Sequence, residues 1–406
     1  MMDILKKKHR VHSLTGRITM EVLQKAFKSV KRNRGAAGVD KQSIAMFEAN
    51  LQANLEALMR DLKDGSYQAF PLRRVYIEKG GGKFGPLGIP AVRCRVAQET
   101  TRLLINPIFE PLFHNNSHGF RKERSCHSAM EQLKSFHRLG YRFVLDADVK
   151  GSCCESRNSI NTIPHKLIMG LITREIADGN ILNLIKKFLQ AGVMEEGIVR
   201  PTRKGTPQGG STLQVSRLIS PLLANIVLNH LDWRLEEKGY KFVRYADDFV
   251  VLTKTKRQVE RALEVVTDCI ENDLGLQLSP EKTHITTFGQ GFKYLGFYVS
   301  AFTVRMGSKA EERFKDKIRK LTIRSRNLDA SVVMAVNRVI SGTVRYFGAA
   351  FATCLGQFNE LDRWIRRRIR SMKYKRIWKT DNRRFKNKYI YRMGFVTCRK
   401  IYLKTS

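Results

Sequence analysis

The feature that most constrains this chain is a pair of adjacent aspartates, Asp247 and Asp248, set between two apolar segments. Because β-branched and aromatic residues flank the pair on both sides, residues 242–253 predict a strand, an acidic turn and a second strand. Two adjacent carboxylates repel one another, and a bound cation is a natural explanation when apolar strands enclose them. An isolated Asp–Asp turn is more often a solvated turn, so the surrounding sequence has to decide between the two interpretations.

A third aspartate, Asp148, closes another predicted strand in the apolar-rich residues 141–149. Carboxylates at strand ends are held rigidly by a sheet. Nucleotidyl transfer uses two divalent ions about 4 Å apart, and Mg²⁺ prefers oxygen ligands. The three aspartates therefore suit this chemistry.

The charge balance indicates a polyanionic partner. Lys and Arg total 74 against 37 Asp and Glu, which gives a formal net charge of +37. Such an excess repels itself, and nucleic acid is the polyanion that most often neutralises it. Residues 301–406 carry 28 of these basic residues and 7 acidic ones, a net +21, so we expect this part to grip an extended nucleic acid. The alternative is a basic protein that binds no nucleic acid.

The cysteines and the hydropathy pattern bear on location. The seven cysteines include no C-x-x-C pair and no companion histidine spacing, which argues against a zinc site and fits a reducing interior. Residues 1–13 are basic and do not resemble a signal peptide. No segment reaches the roughly 18 apolar residues that a membrane span needs. We expect a cytoplasmic protein that does not enter a membrane.

Periodicity gives a coarse order of elements. It predicts helices at 19–63 (with a loop at 35–38), 92–112, 218–235 and 256–273, a hairpin at 70–89, a strand at 292–299, and mostly helices after residue 309.

Several short motifs accompany the Tyr245-Ala246-Asp247-Asp248 turn. They are Gly38-Val39-Asp40, Pro86-Leu87-Gly88-Ile89-Pro90, Gly119-Phe120-Arg121, Pro207-Gln208-Gly209-Gly210, Ser220-Pro221-Leu222-Leu223-Ala224-Asn225, Leu278-Ser279-Pro280-Glu281-Lys282-Thr283, Tyr294-Leu295-Gly296-Phe297 and Asn337-Arg338-Val339-Ile340-Ser341-Gly342. Over roughly residues 19–400, the chain resembles the reverse transcriptases encoded by group II introns.

The resemblance implies an α+β, right-hand polymerase fold. Its fingers would span residues 1–135, its palm with an antiparallel sheet residues 136–300, and its helical thumb, the maturase RNA-binding region, residues 301–406.

The resemblance also implies an RNA-directed DNA polymerase that copies RNA into DNA with two Mg²⁺ ions. Its partners would be intron and template RNA, a DNA primer or target, and dNTPs, and it would assist intron splicing and mobility. The sequence gives neither the identity of these nucleic acids nor the oligomeric state.

Particular residues acquire roles from the same resemblance. The catalytic and metal-site residues would be Asp148, Val149, Asp247 and Asp248. The nucleotide-binding residues would be Arg73, Lys79, Gln208, Gly209 and Tyr245. The primer- and template-binding residues would be Arg121, Gly210 and Lys282. The RNA-binding residues of the thumb would be Arg338, Arg363, Arg366, Arg367 and Arg370. Taken alone, Lys79 and Lys282 would be interpreted as solvated surface lysines.

Four of the thumb arginines recur at three- and four-residue spacing, so they share one helical face. Arginine forks suit phosphate, and the interleaved aromatics can stack on unpaired bases. Alternatively, this is a solvated charged face whose aromatics are buried beneath it. Both interpretations can hold together.

Four departures from the family pattern stand near the expected nucleotide pocket. Gly85 replaces a usual arginine, Cys94 replaces a usual aspartate, and insertions of about seven residues each lie at 152–161 and 211–217. The lost arginine would remove a charge-assisted contact of about 1.5–3 kcal/mol. We hypothesise that the chain folds as a reverse transcriptase but polymerises poorly or with altered sugar selectivity. Primer extension as fast as that of a version without the insertions would refute this.

Two other functions stay open. The chain could be an RNA-binding splicing cofactor with weak or no polymerase activity, which Gly85 and the insertions favour and the three aspartates oppose. It could also be a related reverse transcriptase that serves antiphage defence. A group II intron around the coding region would separate that role from the intron role.

Overall fold

A computed structural model of the chain describes residues 10–78, 84–149, 163–191, 193–195, 198–200, 219–378 and 380–405. The chain divides into two compact units. The first comprises Met1–Ala129 and Leu145–Ile285, and the second comprises Met130–Val144 and Thr286–Ser406. The fingers, palm and thumb boundaries at residues 135 and 300 stay a prediction.

The α-helices of the described residues are α1 Met20–Asn33, α2 Ile44–Ala49, α3 Leu51–Asp64, α4 Val92–Phe109, α5 Cys126–Arg138, α6 His165–Ile172, α7 Gly179–Gln190, α8 Ser220–Glu237, α9 Lys256–Thr267, α10 Ser308–Leu321, α11 Ala330–Phe347, α12 Leu355–Tyr374, α13 Asp381–Arg384, α14 Asn387–Arg392 and α15 Cys398–Thr405. Short 3₁₀ turns lie at Thr15–Arg17 and Glu110–Leu112, and a π-helical turn, Asp268–Asp273, follows α9.

The strands are β1 Leu72–Glu78, β2 Phe84–Ile89, β3 Phe143–Asp148, β4 Val193–Glu195, β5 Ile198–Arg200, β6 Lys241–Tyr245, β7 Asp248–Thr253, β8 His284–Thr287, β9 Phe292–Tyr294, β10 Phe297–Val299 and β11 Val304–Met306. They form three sheets with the orders β2-β1-β4-β5, β6-β7-β3-β8 and β11-β10-β9. Apart from the parallel pair β1–β4, the named pairs with a determined direction are antiparallel.

The predicted interruption of the first helical segment is confirmed. The Thr19 side chain accepts a hydrogen bond from Val22 N at the start of α1, and the Ser43 side chain does the same from Met46 N at the start of α2. Helix α3 ends at Gly65, whose φ of 79° is the left-handed conformation that glycine adopts without a Cβ penalty. Local hydrogen bonding thus sets these helix ends.

Helix α8 lies inside the first unit. Its buried residues occupy all sides of the helix, from Pro221 to Leu235, and include the polar side chains of Asn225 and Asp232. A helix that is apolar all round belongs to a protein interior. The two buried polar residues therefore need partners, and they find them at the end of β6.

The prediction of one strand at 292–299 is wrong. The segment forms two antiparallel strands, β9 and β10, in which Tyr294 pairs with Phe297. Leu295 and Gly296 have φ values of 50° and 84°, and this left-handed pair reverses the chain. An apolar run alone does not reveal such a turn, because only the glycine marks it.

Helices dominate the second unit. Asp362 of α12 is buried and accepts hydrogen bonds from Cys398 N at 2.7 Å and Arg399 N at 3.0 Å, so it satisfies the first amides of α15. Asn337 of α11 donates to Gly394 O and accepts from Val396 N. Asn337, a residue of the sequence motifs, and Asp362 therefore hold residues 394–399 against α11 and α12.

The helices and largely antiparallel sheets confirm the α+β prediction. In the part of the chain that the structure describes, no helix combines the length and apolarity that crossing a membrane requires.

Candidate active site and nucleic-acid interface

The acidic turn has the predicted form of a tight hairpin. Tyr245 at the end of β6 pairs with Asp248 at the start of β7, so only Ala246 and Asp247 lie in the turn. Ala246 has a φ of 61°, which a residue with a Cβ adopts at some cost. Asp247 and Asp248 are both half-buried. The surrounding structure must therefore hold this turn in place.

The chain at residues 116–119 provides part of that support. His118 N donates to Arg244 O at 2.8 Å, and Arg244 N donates to Asn116 O at 2.9 Å. Gly119 lies so close to the turn that a Cβ on it would collide with the Ala246 nitrogen. A glycine is needed here because its backbone touches the backbone of the turn.

Arg244 is the second support. Its side chain is fully buried and forms an ion pair with the equally buried Asp232, through Nε to Oδ1 at 2.7 Å and Nη2 to Oδ2 at 2.5 Å. Its Nη1 donates to Asn225 Oδ1 and to the carbonyl of Ala246. Asn225 in turn donates to Gly119 O at 2.8 Å. Helix α8 therefore fixes both sides of the turn through one charge-compensated network.

Four carboxylates interact at this end of the sheet. Burial raises the pKa of Asp248 well above its usual range, and the charges of Asp146, Asp247 and Asp148 raise it further. Burial also raises the pKa of Asp146 to about 6, against the opposing effect of His284, whose Nε2 is 3.8 Å from Asp146 Oδ2. Asp248 and Asp146 are therefore harder to ionise than free aspartates.

Lys282 contributes a local positive charge. Its Nζ lies 2.7 Å from Asp148 Oδ2, and the neighbouring Ser279 N donates to Asp148 O at 2.8 Å. Val149, which is fully buried, forms a bridge with Leu278. The segment around Lys282, which the family resemblance places near the primer, therefore contacts β3, the strand that carries Asp148. This contact does not test the primer role.

The donor set fits a divalent cation. Carboxylate oxygens are the ligands that such ions prefer, and a cation would offset the repulsion that raises the pKa of Asp248. Asp148, Asp247 and Asp248 could hold the ion, with Asp146 beside them.

The predicted nucleotide-binding residues are only partly within the described structure. Arg73 lies in β1, and its Nε is buried without a hydrogen-bond partner among the described residues. The Tyr245 ring lies 6.2 Å from the Phe120 ring, between centroids. Lys79, Gln208, Gly209 and Gly210 lie outside the described residues, as do both insertions, 152–161 and 211–217. Their assigned roles stay predictions.

Arg121 has extensive internal contacts. Its Nε donates to Glu110 Oε1 at 2.8 Å, and its Nη1 donates to the carbonyls of His114 and Ser117. Only 6% of the side chain is exposed. These contacts give Arg121 a structural role in holding the segment before Gly119, and its predicted contact with primer or template stays untested.

The two point departures differ in their surroundings. Gly85 lies in β2 opposite Ile77 of β1, so this strand position offers no cation. Cys94 is buried in α4 and accepts a hydrogen bond from Phe70 N, and burial raises the pKa of its thiol. Cys94 is therefore a core residue here.

Three potential zinc ligands, which sequence spacing did not reveal, meet elsewhere in the first unit. His230, Cys269 and Asp273 place their donor atoms within 4.8 Å of one another. His230 Nε2 and Asp273 Oδ2 are 3.2 Å apart, and burial raises the pKa of Cys269 to about 12. Because zinc binds the thiolate, this arrangement is better explained as a hydrogen-bonded contact between α8 and the π-helical turn.

The predicted thumb arginines fall into two places in the second unit. Arg338 is exposed on α11. The other four lie along one side of α12 and line a pocket of about 530 Å³ together with Asn382, Lys386 and Asn387. The predicted common face is therefore confirmed for the α12 arginines, and it is concave.

The chain is similar to several known proteins. The reverse transcriptase (RNA-dependent DNA polymerase) family matches residues 77–299, and the group II intron maturase-specific domain matches residues 311–391. Protein YkfC of Escherichia coli is 34% identical over 71% of this chain and 82% of its own length. The group II intron-encoded protein LtrA of Lactococcus lactis is 29% identical over 83% of this chain and 69% of its own. A Candida albicans telomerase structure covers 84% of this chain and 67% of its own at 11% identity and a TM-score of 0.46.

The chain thus belongs to the reverse transcriptase family, in its group II intron-encoded branch. It is an RNA-directed DNA polymerase with a maturase domain, and its partners include nucleic acid. Members of this family use divalent metal ions, which the carboxylate cluster suits.

Sequence reasoning missed the residues that support the turn. It also missed Asp146, a fourth carboxylate of the site, which precedes Asp148 by two residues in β3. Asn225 and Asp232 sit seven residues apart, two helical turns on one side of α8, within an otherwise apolar helix. Buried polar residues at such spacing were the signal for the Arg244 network.

Proposed function

We propose that Asp148, Asp247 and Asp248 hold two Mg²⁺ ions and that the chain extends a DNA primer along an RNA template, using dNTPs. When bound, the ions activate the primer hydroxyl and offset the charge that develops on the triphosphate. The observation that carries this proposal is the placement of Asp148 at the end of β3, next to the strand β7 that begins at Asp248, in a cluster of four interacting carboxylates.

The remaining roles belong to the protein itself. Lys282 holds the carboxylate of Asp148 in place through the 2.7 Å ion pair. The Arg244 network and Gly119 hold the turn, which keeps the carboxylates within the small tolerance that catalysis allows. Arg73, in β1, would offset the negative charge of the triphosphate, as the family resemblance implies.

Primer extension tests this proposal. Purified protein with an RNA template, an annealed DNA primer, dNTPs and Mg²⁺ is expected to make cDNA, and the Asp247→Ala, Asp248→Ala variant is expected to make none. The matched control is Asp268→Ala, Asp273→Ala, which removes two aspartates at least a third exposed from the same unit. Equal extension by the two double variants would refute the assignment.

A polymerase of reduced efficiency that acts mainly in splicing is the second candidate, and Gly85 is the observation that favours it. The usual arginine would add one charge-assisted contact to the triphosphate. Gly85→Arg is therefore expected to speed extension by about tenfold or more, since such a contact is worth about 1.5–3 kcal/mol. An unchanged rate at saturating and at limiting dNTP would count against the missing contact.

We further propose that the partner RNA is a group II intron that surrounds the coding region, and that binding it assists splicing and mobility. Four α12 arginines and Arg338 support this in the second unit. Gel-shift assays with the intron RNA and an unrelated RNA of equal length test it. Equal affinity at 150–200 mM salt, where non-specific phosphate contacts weaken, would contradict it.

A further inference from the structure

The four arginines of α12 line a pocket whose charged side chains are all positive. Arg363, Arg366, Arg367 and Arg370 line it together with Lys386, and Asn382 and Asn387 complete the wall. Its lining thus brings five cationic side chains and two amides, and no acidic one, around a single space of about 530 Å³.

Arg370 is the most constrained of the four. Its side chain is buried, with 8% of the residue exposed, and it donates from Nε to Phe385 O at 2.9 Å and from Nη2 to Asn387 Oδ1 at 2.6 Å. Both acceptors are neutral. Burial lowers the pKa of Arg370, and the charge of Arg366 lowers it further. The guanidinium charge is therefore positioned by the protein but is not balanced by it.

The nearby carboxylates are engaged elsewhere. Asp362 accepts hydrogen bonds from the first amides of α15, and Asp381 Oδ1 pairs with Arg376, whereas Asp381 Oδ2 is buried without a hydrogen-bond partner among the described residues. Within the described ranges, no carboxylate comes within 4.0 Å of the guanidinium groups of Arg363, Arg366, Arg367 or Arg370. A buried, unbalanced positive charge beside several others is costly unless an anion joins it.

The size and the polar groups narrow the choice of anion. The space of about 530 Å³ is open to solvent on one side and is large enough to accept a group of nucleotide size. Guanidinium forks bind phosphate oxygens bidentately, whereas amide side chains can hydrogen-bond a base edge or a ribose hydroxyl. The arrangement suits a phosphate together with its attached nucleoside better than a backbone phosphate on the outside of a regular RNA helix.

We propose that this pocket takes one RNA nucleotide that is turned out of its helix, with its phosphate on the α12 arginines and its sugar or base against Asn382 and Asn387. This rests on the proposed RNA binding of the second unit and adds a preference for bulged RNA over continuous duplex.

Fluorescence anisotropy at 150 mM salt tests the preference with two fluorescein-labelled RNA hairpins. One carries a single bulged uridine, and the other is fully paired. All proteins are full-length and also carry Asp247→Ala and Asp248→Ala. Binding is therefore measured without polymerase activity, and the result does not depend on whether the proposed polymerase function is correct. Arg366→Gln and Arg370→Gln are the pocket variants. The matched control is Arg319→Gln, an exposed arginine of α10 already paired with Glu312 and Asp316.

The unmodified pocket is expected to favour the bulged hairpin, and each pocket variant to lose about tenfold in affinity for it, as one charge-assisted contact implies. The salt slope should fall by about 1 per variant. Arg366 is half-buried, so its variant keeps the test valid if Arg370→Gln fails to fold. Equal losses on both hairpins, or losses no larger than for Arg319→Gln, would overturn the proposal. Competition by free uridine monophosphate as strong as that by the bulged hairpin would show a free-nucleotide site instead.

Discussion

The carboxylate turn of the first unit and the arginine pocket of the second are both clusters of like charge, but their supports differ. The turn is held by a charge-compensated pair, Arg244 with Asp232, and Lys282 sits against one of its carboxylates. In the pocket, the hydrogen bonds of Arg370 to other described residues go to a carbonyl and an amide oxygen. Within the described residues, therefore, Lys282 partly neutralises the negative charge of the turn, whereas the pocket arginines are held in place with no carboxylate to neutralise them.

The presence or absence of a countercharge separates structural arginines from arginines that bind a ligand. Both Arg244 and Arg370 are buried and hydrogen-bonded, so burial alone does not distinguish them. The distinguishing feature is the countercharge, because a buried arginine with its own carboxylate needs nothing further. The comparison is open to direct challenge by mutation.

The largest expected effect is on catalysis. Asp248→Asn removes a proposed metal ligand and should lower the primer-extension rate by about three orders of magnitude, since metal-ion stabilisation is worth several kcal/mol. The same change removes one of four carboxylates that repel one another, so without Mg²⁺ the Tm should rise by about 1–2 °C, as expected for about 1 kcal/mol in a chain of 406 residues. Rate measurements and calorimetry on one preparation check both. A lower Tm would mean that the turn is not strained by like charge.

The next effect is on stability. Arg244→Met leaves Asp232 buried without a partner and should cost about 3–5 kcal/mol of unfolding free energy. Arg370→Met leaves only neutral acceptors unsatisfied, so it should cost about 1–3 kcal/mol. Urea unfolding compares them. The Arg244→Met, Asp232→Leu double variant is the control and should recover much of the loss. Equal costs for the two arginines would break the comparison.

Gly119→Ala tests how rigidly the turn is held. The added methyl group would collide with the Ala246 backbone, which should cost about 1–3 kcal/mol and displace the carboxylates. We expect kcat to fall much more than KM changes. Gly140→Ala, whose Cβ would meet nothing within 4 Å but whose φ is 88°, is the control for loss of a glycine. A larger loss of activity in the control than in Gly119→Ala would contradict the assigned contact.

The smallest effect concerns a carboxylate that needs no ion. Burial would raise the pKa of Asp178, but hydrogen bonds from Thr15, Ile181 and Leu14 outweigh it and lower that pKa. Its stabilising contribution is therefore present above a pH of about 4 and is lost as the pH falls through the lowered pKa. Asp178→Asn should cost about 1 kcal/mol at pH 7 and progressively less as the pH falls below about 4. A loss that does not depend on pH would assign the effect to packing.

Much of the local structure was predictable. The strand–turn–strand at 242–253 and the break in the first helical segment follow from apolar periodicity, β-branched residues and capping residues, which act over a few positions. The single strand at 292–299 failed because two residues with positive φ override an apolar pattern. Short-range signals predict elements well, but an apolar pattern can hide a reversal even where a glycine such as Gly296 marks it.

The candidate site was predictable in part. The aspartate turn and Asp148 are each visible as a carboxylate at the end of an apolar segment. Asp146 was not identified, because Asp148 at the end of the same strand was the more obvious candidate. The ion pair of Lys282 with Asp148 joins residues 134 positions apart. No local pattern encodes such a contact, because it depends on where β3 and the segment before β8 return to the same edge.

By itself, the sequence determined the acidic turn between apolar strands, the excess of positive charge in the last quarter of the chain and the shared helical face of the α12 arginines. These follow from residue type and short-range spacing. Only the tertiary structure decided that Gly119, Asn225 and Asp232 support the turn, and that Lys386 and Asn387 convert an arginine face into a pocket. The physical reason is that countercharge and close contact come from residues distant in sequence. Whether a cluster is balanced or needs a ligand is therefore set when the chain folds.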